Sequence, residues 1–185
     1  MTAVGTFVPF PKIKRATLGV TVTEKVDGSN AAVVFDESGK FHAQSRNRII
    51  TPDDDNFGFA KFVTDNADTM YDALGPGTHF GEWYGQGIQR RYGMDHRRFA
   101  LFNVGRWADV ELPPCLSLVP TMYVGPMDTA LIDELADDLQ ASGSRVDGSV
   151  PGWPSEGLMI YMHAAGAYIK MPFDNTHKGQ SERAA

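Results

Sequence analysis

The sequence predicts an α+β domain built of antiparallel sheets with two helices packed outside. Three observations carry this: short runs of β-forming residues between turns, two windows with apolar residues at helical spacing, and 19 glycines and 11 prolines in 185 residues. So many turn formers favour a strand-rich chain. Residues 17–22 and 31–35 read as strands, with a turn at Gly28-Ser29-Asn30 between them. Residues 41–45 follow the Glu37-Ser38-Gly39 turn, so the start reads as an antiparallel meander. Asp53, Asp54 and Asp55 supply N-cap candidates for a helix over 57–74, in which Phe59, Val63, Ala67, Met70 and Leu74 share one face. Gly75-Pro76-Gly77 ends it. Strands are expected at 79–83, 99–104 and 116–123, the first two joined by a loop rich in glycine and arginine. A second helix is expected over 128–141, with Leu131, Leu135 and Leu139 spaced by four and Ser142-Gly143-Ser144 as its stop. A hairpin of 157–162 and 167–171 closes a domain spanning 1–172, and 173–185 form a polar tail.

The composition, 42% hydrophobic and 22% charged, is that of a globular protein, and the length suits one domain with a real core. No apolar run approaches the roughly 18 residues of a membrane span, and no secretory signal is visible. No membrane partner and a cytoplasmic location are therefore expected. The single cysteine, Cys115, excludes an intrachain disulfide and reads as a small apolar filler. A net charge of −6 argues against a protein that grips nucleic acid by charge alone. The charge is uneven, however. Lys12, Lys14 and Arg15 cluster near the start and Arg90, Arg91, Arg97 and Arg98 in the middle, while acid gathers at 53–55 and 133–138.

Several short segments place reactive residues at strand ends or turns. They are Glu24-Lys25-Val26-Asp27-Gly28-Ser29-Asn30, Ser45-Arg46-Asn47-Arg48, Phe80-Gly81-Glu82-Trp83, Phe99-Ala100-Leu101-Phe102-Asn103-Val104, Ser155-Glu156-Gly157 and Tyr168-Ile169-Lys170. Read alone, Lys25 is a solvated lysine beside a turn. Read as a nucleophile, it must shed a proton held with a pKa of ~10.4, which calls for desolvation or cationic neighbours. Lys170, Arg46 and a divalent metal are candidates for that positive field. Glu82 and Glu156, each beside a glycine, read alone as surface carboxylates; with Lys25 and Lys170 they suit a ribose hydroxyl and a metal-bound phosphate. Arg46 and Arg48 suit a phosphate or plain exposure. Phe102 suits the core or a base-stacking platform. His79, His96 and His163 lack metal-ligand spacing and read as structural or surface residues.

Taken in order, these segments resemble the motif set of the covalent nucleotidyltransferases: ATP-dependent DNA and RNA ligases and mRNA-capping enzymes. Residues 24–30 resemble the Lys-x-Asp-Gly nucleophile motif, with Glu24 and Asn30 most like the phage-type RNA ligases. The resemblance implies an ATP-grasp-like adenylylation fold and an ATP-dependent RNA ligase. Lys25 would form lysyl–AMP, pass AMP to a 5′-phosphate end, and let a 3′-hydroxyl seal an RNA or nicked nucleic acid. It implies ATP binding by Glu24, Asn30, Arg46, Glu82, Phe102, Glu156 and Lys170. Among these, Glu82 would hold the ribose, Phe102 stack on adenine, Glu156 place Mg²⁺ or Mn²⁺, and Lys170 contact the α-phosphate. If phage-encoded, such a protein would work in the host cytoplasm. Two departures stand out: Pro172 sits where the family's last motif carries a second lysine, for which Lys178 is a candidate substitute, and no OB-fold appendage is expected. A nick-sealing DNA ligase and a nucleotide- or nucleic-acid-binding domain without turnover are the alternatives.

Overall fold

In a computed structural model, residues 18–173 are described. Their elements are β1 (Gly19–Glu24), β2 (Ser29–Phe35), β3 (Phe41–Ser45), β4 (Ile49–Ile50), α1 (Phe59–Leu74), β5 (Gly77–Gly85), β6 (Arg97–Leu101), α2 (Val104–Trp107), β7 (Leu116–Leu118), β8 (Thr121–Pro126), α3 (Thr129–Ser142), β9 (Gly157–Met162) and β10 (Ala167–Pro172). The strands form two sheets, a smaller one ordered β10-β9-β1-β8 and a larger one ordered β4-β3-β2-β5-β6-β7. The expected α+β class with antiparallel-rich sheets and few helices stands. The expected polar tail lies almost wholly outside the described residues, as do Lys178 and the early basic cluster.

The initial meander needs correction. β2 and β3 pair, but β1 joins the other sheet, between β8 and β9. Lys25 N–H donates to Gly157 O at 2.8 Å, continuing the β1–β9 ladder, whereas Ser29 already pairs with Trp83 of β5. Residues 25–28 are thus a crossing between sheets and not a hairpin turn. The expected strand over 116–123 is broken in the same way. Pro120 separates β7, parallel to β6, from β8, antiparallel to β1. A proline offers no N–H to a ladder, and its carbonyl accepts from Glu24 N–H at 2.8 Å, so the chain changes sheets there. The strand expected over 99–104 ends at Leu101, because Asn103 turns the chain and accepts from Arg106 N–H, capping α2.

Each sheet carries one long helix on its outside. The α1 face predicted from spacing, Phe59, Val63, Ala67, Met70 and Leu74, is buried. It packs on Ala31, Val33 and Phe35 of β2 and on Trp83, Phe99 and Leu101. Gly58 occupies the N-cap position without a side-chain cap; Asp55, from further upstream, accepts from the N–H groups of Ala60 and Lys61. On α3, Asp128 caps the start, its side chain accepting from the N–H groups of Ala130 and Leu131. Its buried face is Ile132, Ala136 and Leu139, offset from the predicted leucine row, with Leu131 and Leu135 half-buried. That face packs on Val20, Val22, Leu158 and Ile160 of the smaller sheet. Strand alternation then sends Asn30, Ala32, Phe80, Glu82 and Ala100 to the other side of the larger sheet, where they sit in paired register.

Candidate active site

The crossing segment that carries Lys25 is held from several directions. Lys25 N–H is tied to β9, and Val26 is buried in a small core with Tyr84, Tyr92, Met94, Ala100, Val119 and Val146. Asp27 N–H donates to Tyr92 Oη at 2.6 Å, and the Asp27 carboxylate pairs with Arg90 at 3.2 Å. Gly28 lies against β5: a Cβ there would sit 2.5 Å from the Trp83 carbonyl oxygen. Only glycine fits that approach without displacing the backbone.

A cavity of about 830 Å³ opens between the sheets, lined by Glu24, Lys25, Asn30, Arg46, Glu82, Phe102, Glu156 and Lys170. All eight residues singled out in the sequence therefore share one cavity. Lys25 Nζ forms an ion pair with Glu156 Oε1, with both side chains mostly covered. Glu82, 6% exposed, accepts from Asn30 Nδ2 at 2.8 Å and from Gly28 N–H at 3.1 Å. Arg46 donates its Nε to Asn30 Oδ1 at 2.7 Å, so Arg46, Asn30 and Glu82 form a relay along the cavity wall. Burial pushes the Glu82 pKa up to about 7; its bond from Asn30 and the nearby Lys25 charge offset part of that. Lys170, on the edge strand β10, is exposed at the rim, and Phe102 is half-buried just past β6.

Glu24 differs from the others. It borders the cavity, but its carboxylate accepts from Ser144 Oγ at 2.6 Å and Arg145 N–H at 2.7 Å. Burial raises its pKa, opposed by those two bonds. The side chain thus fastens β1 to the segment after α3. The positive field expected around Lys25 is also arranged differently, since the direct partner of its amine is a carboxylate and Arg46 is engaged by Asn30. Arg48 pairs with Asp54 on the surface and does not line the cavity. His79 is buried and bonded to Gly75 O at 2.9 Å, while His96 pairs with Asp95; both are structural or surface residues, as read from spacing. Cys115 is half-buried against the α1 core.

Several cavity residues were missed. Phe80, 57% exposed, lines the wall two residues before Glu82, and strand alternation places the two on one face. Asn103 and Arg106 line it from the turn into α2, with the Arg106 guanidinium 4.3 Å from the Trp107 ring centroid. Tyr168 lines it two residues before Lys170. The period-2 rule marks Phe80 and Tyr168; nothing in the sequence marks Arg106.

A pocket between two sheets, with a lysine, two buried or half-buried carboxylates and several cationic groups on its walls, suits a phosphorylated ligand. The RNA ligase family model matches residues 19–171, and the chain belongs to that family. Its fold is similar to solved structures of Naegleria gruberi RNA ligase. A substituted form with ATP and Mn superposes with a TM-score of 0.61 at 16% identity, covering 84% of this chain and 50% of that one. The form with PPi gives 0.59 at 17% identity, and a substituted form with AMP and Mn gives 0.57 at 17% identity, both with the same coverage. The chain spans about half the length of these relatives. A search of curated proteins finds no match.

Proposed function

We propose that the protein is an ATP-dependent RNA ligase of phage-like type, whose Lys25 takes AMP from ATP. The observation that carries this reading is the convergence of eight motif residues from separate parts of the chain on one cavity. Its volume of about 830 Å³ falls in the range of small-molecule and cofactor sites. Family membership over residues 19–171 supports the substrate class.

In the proposed reaction, the Lys25 amine loses a proton and attacks the α-phosphorus of ATP, forming a P–N bond while the bond to the bridging oxygen breaks and pyrophosphate leaves. AMP then passes to a 5′-phosphate end of RNA, and a 3′-hydroxyl displaces AMP to seal the strand. Attack requires the Lys25–Glu156 contact to open. Glu82, fixed by Asn30 and Gly28, takes the ribose hydroxyls, and Phe102 takes the adenine face. Arg46 and Lys170 offset charge on phosphate oxygens as the in-line displacement proceeds. Glu24 acts by position, anchoring the strand that delivers Lys25.

A divalent ion fits the cavity. Glu156 Oε2 is buried without a hydrogen-bond partner among the described residues, and no cluster of three or more His, Cys, Asp or Glu ligands occurs among them. One carboxylate plus nucleotide phosphates is a common Mg²⁺ arrangement. Glu156 would hold the ion, which when bound would neutralise phosphate charge.

The test is incubation with α-labelled ATP and Mg²⁺ or Mn²⁺ followed by denaturing electrophoresis. Wild type should carry a covalent label, and Lys25→Ala should carry none. Absence of label on a folded wild type, or its persistence in Lys25→Ala, would overturn the assignment.

A further inference from the structure

The smaller sheet has two unlike faces. One is covered by α3 through Val20, Val22, Leu158 and Ile160. The opposite face is formed by residues in paired register: Val124, Thr21, Tyr161 and Tyr168 make one row, and Thr121, Thr23, Met159 and Lys170 the next. The second row runs into the cavity through Thr23, Met159 and Lys170, and Tyr168 also lines it. The first row leads away from it across the sheet.

That outer row is aromatic and held in place. The rings of Tyr161 and Tyr168 lie 4.7 Å apart, and those of Tyr161 and His163 lie 5.6 Å apart. His163 rests against Gly19, where a Cβ would come 3.0 Å from its Nδ1, and its Nε2 bonds Thr21 Oγ1 at 2.8 Å. Yet the surface is open: Tyr168 is 58% and Val124 60% exposed. Charge is sorted between the two sides. The only carboxylate in the four strands is Glu24, turned to Ser144 and Arg145. Asp133, Glu134, Asp137 and Asp138 are exposed on α3, across the sheet. In a chain of net charge −6, a face without carboxylates, bordered by Lys170, is suited to a polyanion.

We propose that this face, built on Tyr161, Tyr168 and His163 and extending to Val124, is the docking surface for single-stranded RNA whose end enters the cavity. The proposal rests on the RNA-ligase reading of that cavity. Bases stack on aromatic side chains with little regard to sequence, and the absence of carboxylates leaves the backbone phosphates unrepelled. The continuity of the two rows gives the strand a path from the platform to Lys170 and Lys25.

The test uses the whole 185-residue chain and a fluorescent, 5′-phosphorylated single-stranded RNA of roughly twelve nucleotides. RNA affinity is read by anisotropy and Lys25 labelling is read separately with ATP. Tyr161→Ala and Val124→Glu lie outside the cavity and should each weaken RNA binding by about tenfold or more, with lysine labelling kept. Tyr161→Phe, which retains the ring, should bind within about twofold of wild type. Wild-type affinity in both Tyr161→Ala and Val124→Glu overturns the proposal, as expected of a face covered by another segment or by a protein partner. Should Tyr161→Ala fail to fold in a thermal melt, Val124→Glu alone decides. A folded wild type that binds RNA but takes no label from ATP sinks the adenylylation reading, while the affinity comparison still decides the docking surface.

Discussion

Glu82 combines two demands that conflict. It is buried, which disfavours its charge, and it accepts from Gly28 and Asn30, which favours it. Desolvation wins, carrying its pKa from 4.5 to about 7. A carboxyl whose folded pKa is raised binds its proton more tightly folded than unfolded. Its contribution to stability is therefore full below 4.5 and is lost as pH rises through about 7. Glu82→Gln removes the titration while keeping one acceptor oxygen. Relative to this variant, wild type should lose on the order of 3 kcal/mol between those pH values, measured by denaturant unfolding across the range. A difference that stays flat with pH would show that Glu82 does not titrate there. Gly28 makes a second prediction. An added methyl meets the Trp83 carbonyl and approaches the Glu82 and Tyr84 side chains, so Gly28→Ala should cost about 1–3 kcal/mol and reduce lysine labelling. The residue types at these positions were legible in the sequence, because Lys, Glu and Gly at turns carry recognisable chemistry. Partnerships were not: that Lys25 meets Glu156, or that Glu24 faces Ser144, depends on segments more than a hundred residues apart.

At the scale of elements, helix and strand periodicity read well where one face is buried against a continuous layer. The α1 face and the β9–β10 hairpin follow from spacing alone. Reading failed where a strand changed sheets, since local propensity is the same on both sides of the change. Residues 17–22 and 31–35 both look like meander strands, and only pairing with β9 or β5 tells them apart. Pro120, inside an apolar run, is the visible signal for the second change. The loop between β5 and β6 was legible merely as glycine- and arginine-rich. In the structure, Gln89, Arg91 and Tyr92 adopt positive φ values of 43°, 61° and 51°, conformations costly for residues with a side chain. The arrangement brings buried Tyr92 to the backbone of Asp27 and Arg90 to its carboxylate, so this loop buttresses the Lys25 crossing. Tyr92→Phe removes the acceptor for a part-buried N–H and should destabilise the protein by about 1–3 kcal/mol. It should also slow lysine labelling at saturating ATP more than it weakens ATP binding, because Tyr92 touches the crossing and not the cavity. Equal losses in both would place its effect on the binding site itself.

The whole molecule is two sheets, each with its helix outside, and a cavity whose walls belong to both. Lys25, Glu156 and Lys170 come from the smaller sheet and its ends, whereas Asn30, Arg46, Glu82 and Phe102 come from the larger one. A nucleotide seated as proposed would bridge the two walls, and a ligand that binds only the folded state stabilises it by mass action. At a free concentration of about 100 times Kd, ATP should add about 2.7 kcal/mol to unfolding, or very roughly 5–10 °C in Tm for a domain of this size. Lys25→Ala is the form in which to measure this, since it lacks the amine that would convert binding into a covalent bond. If the orphaned Glu156 oxygen helps hold an ion beside the phosphates, the shift should be larger with Mn²⁺ or Mg²⁺ than with a chelator present. Glu156→Gln should then narrow that gap while keeping part of the metal-free shift. A melting temperature of Lys25→Ala indifferent to ATP, with and without metal, would mean that the two walls do not close on a nucleotide. Lysine labelling would then have lost its physical basis, however well the motifs are ordered along the chain.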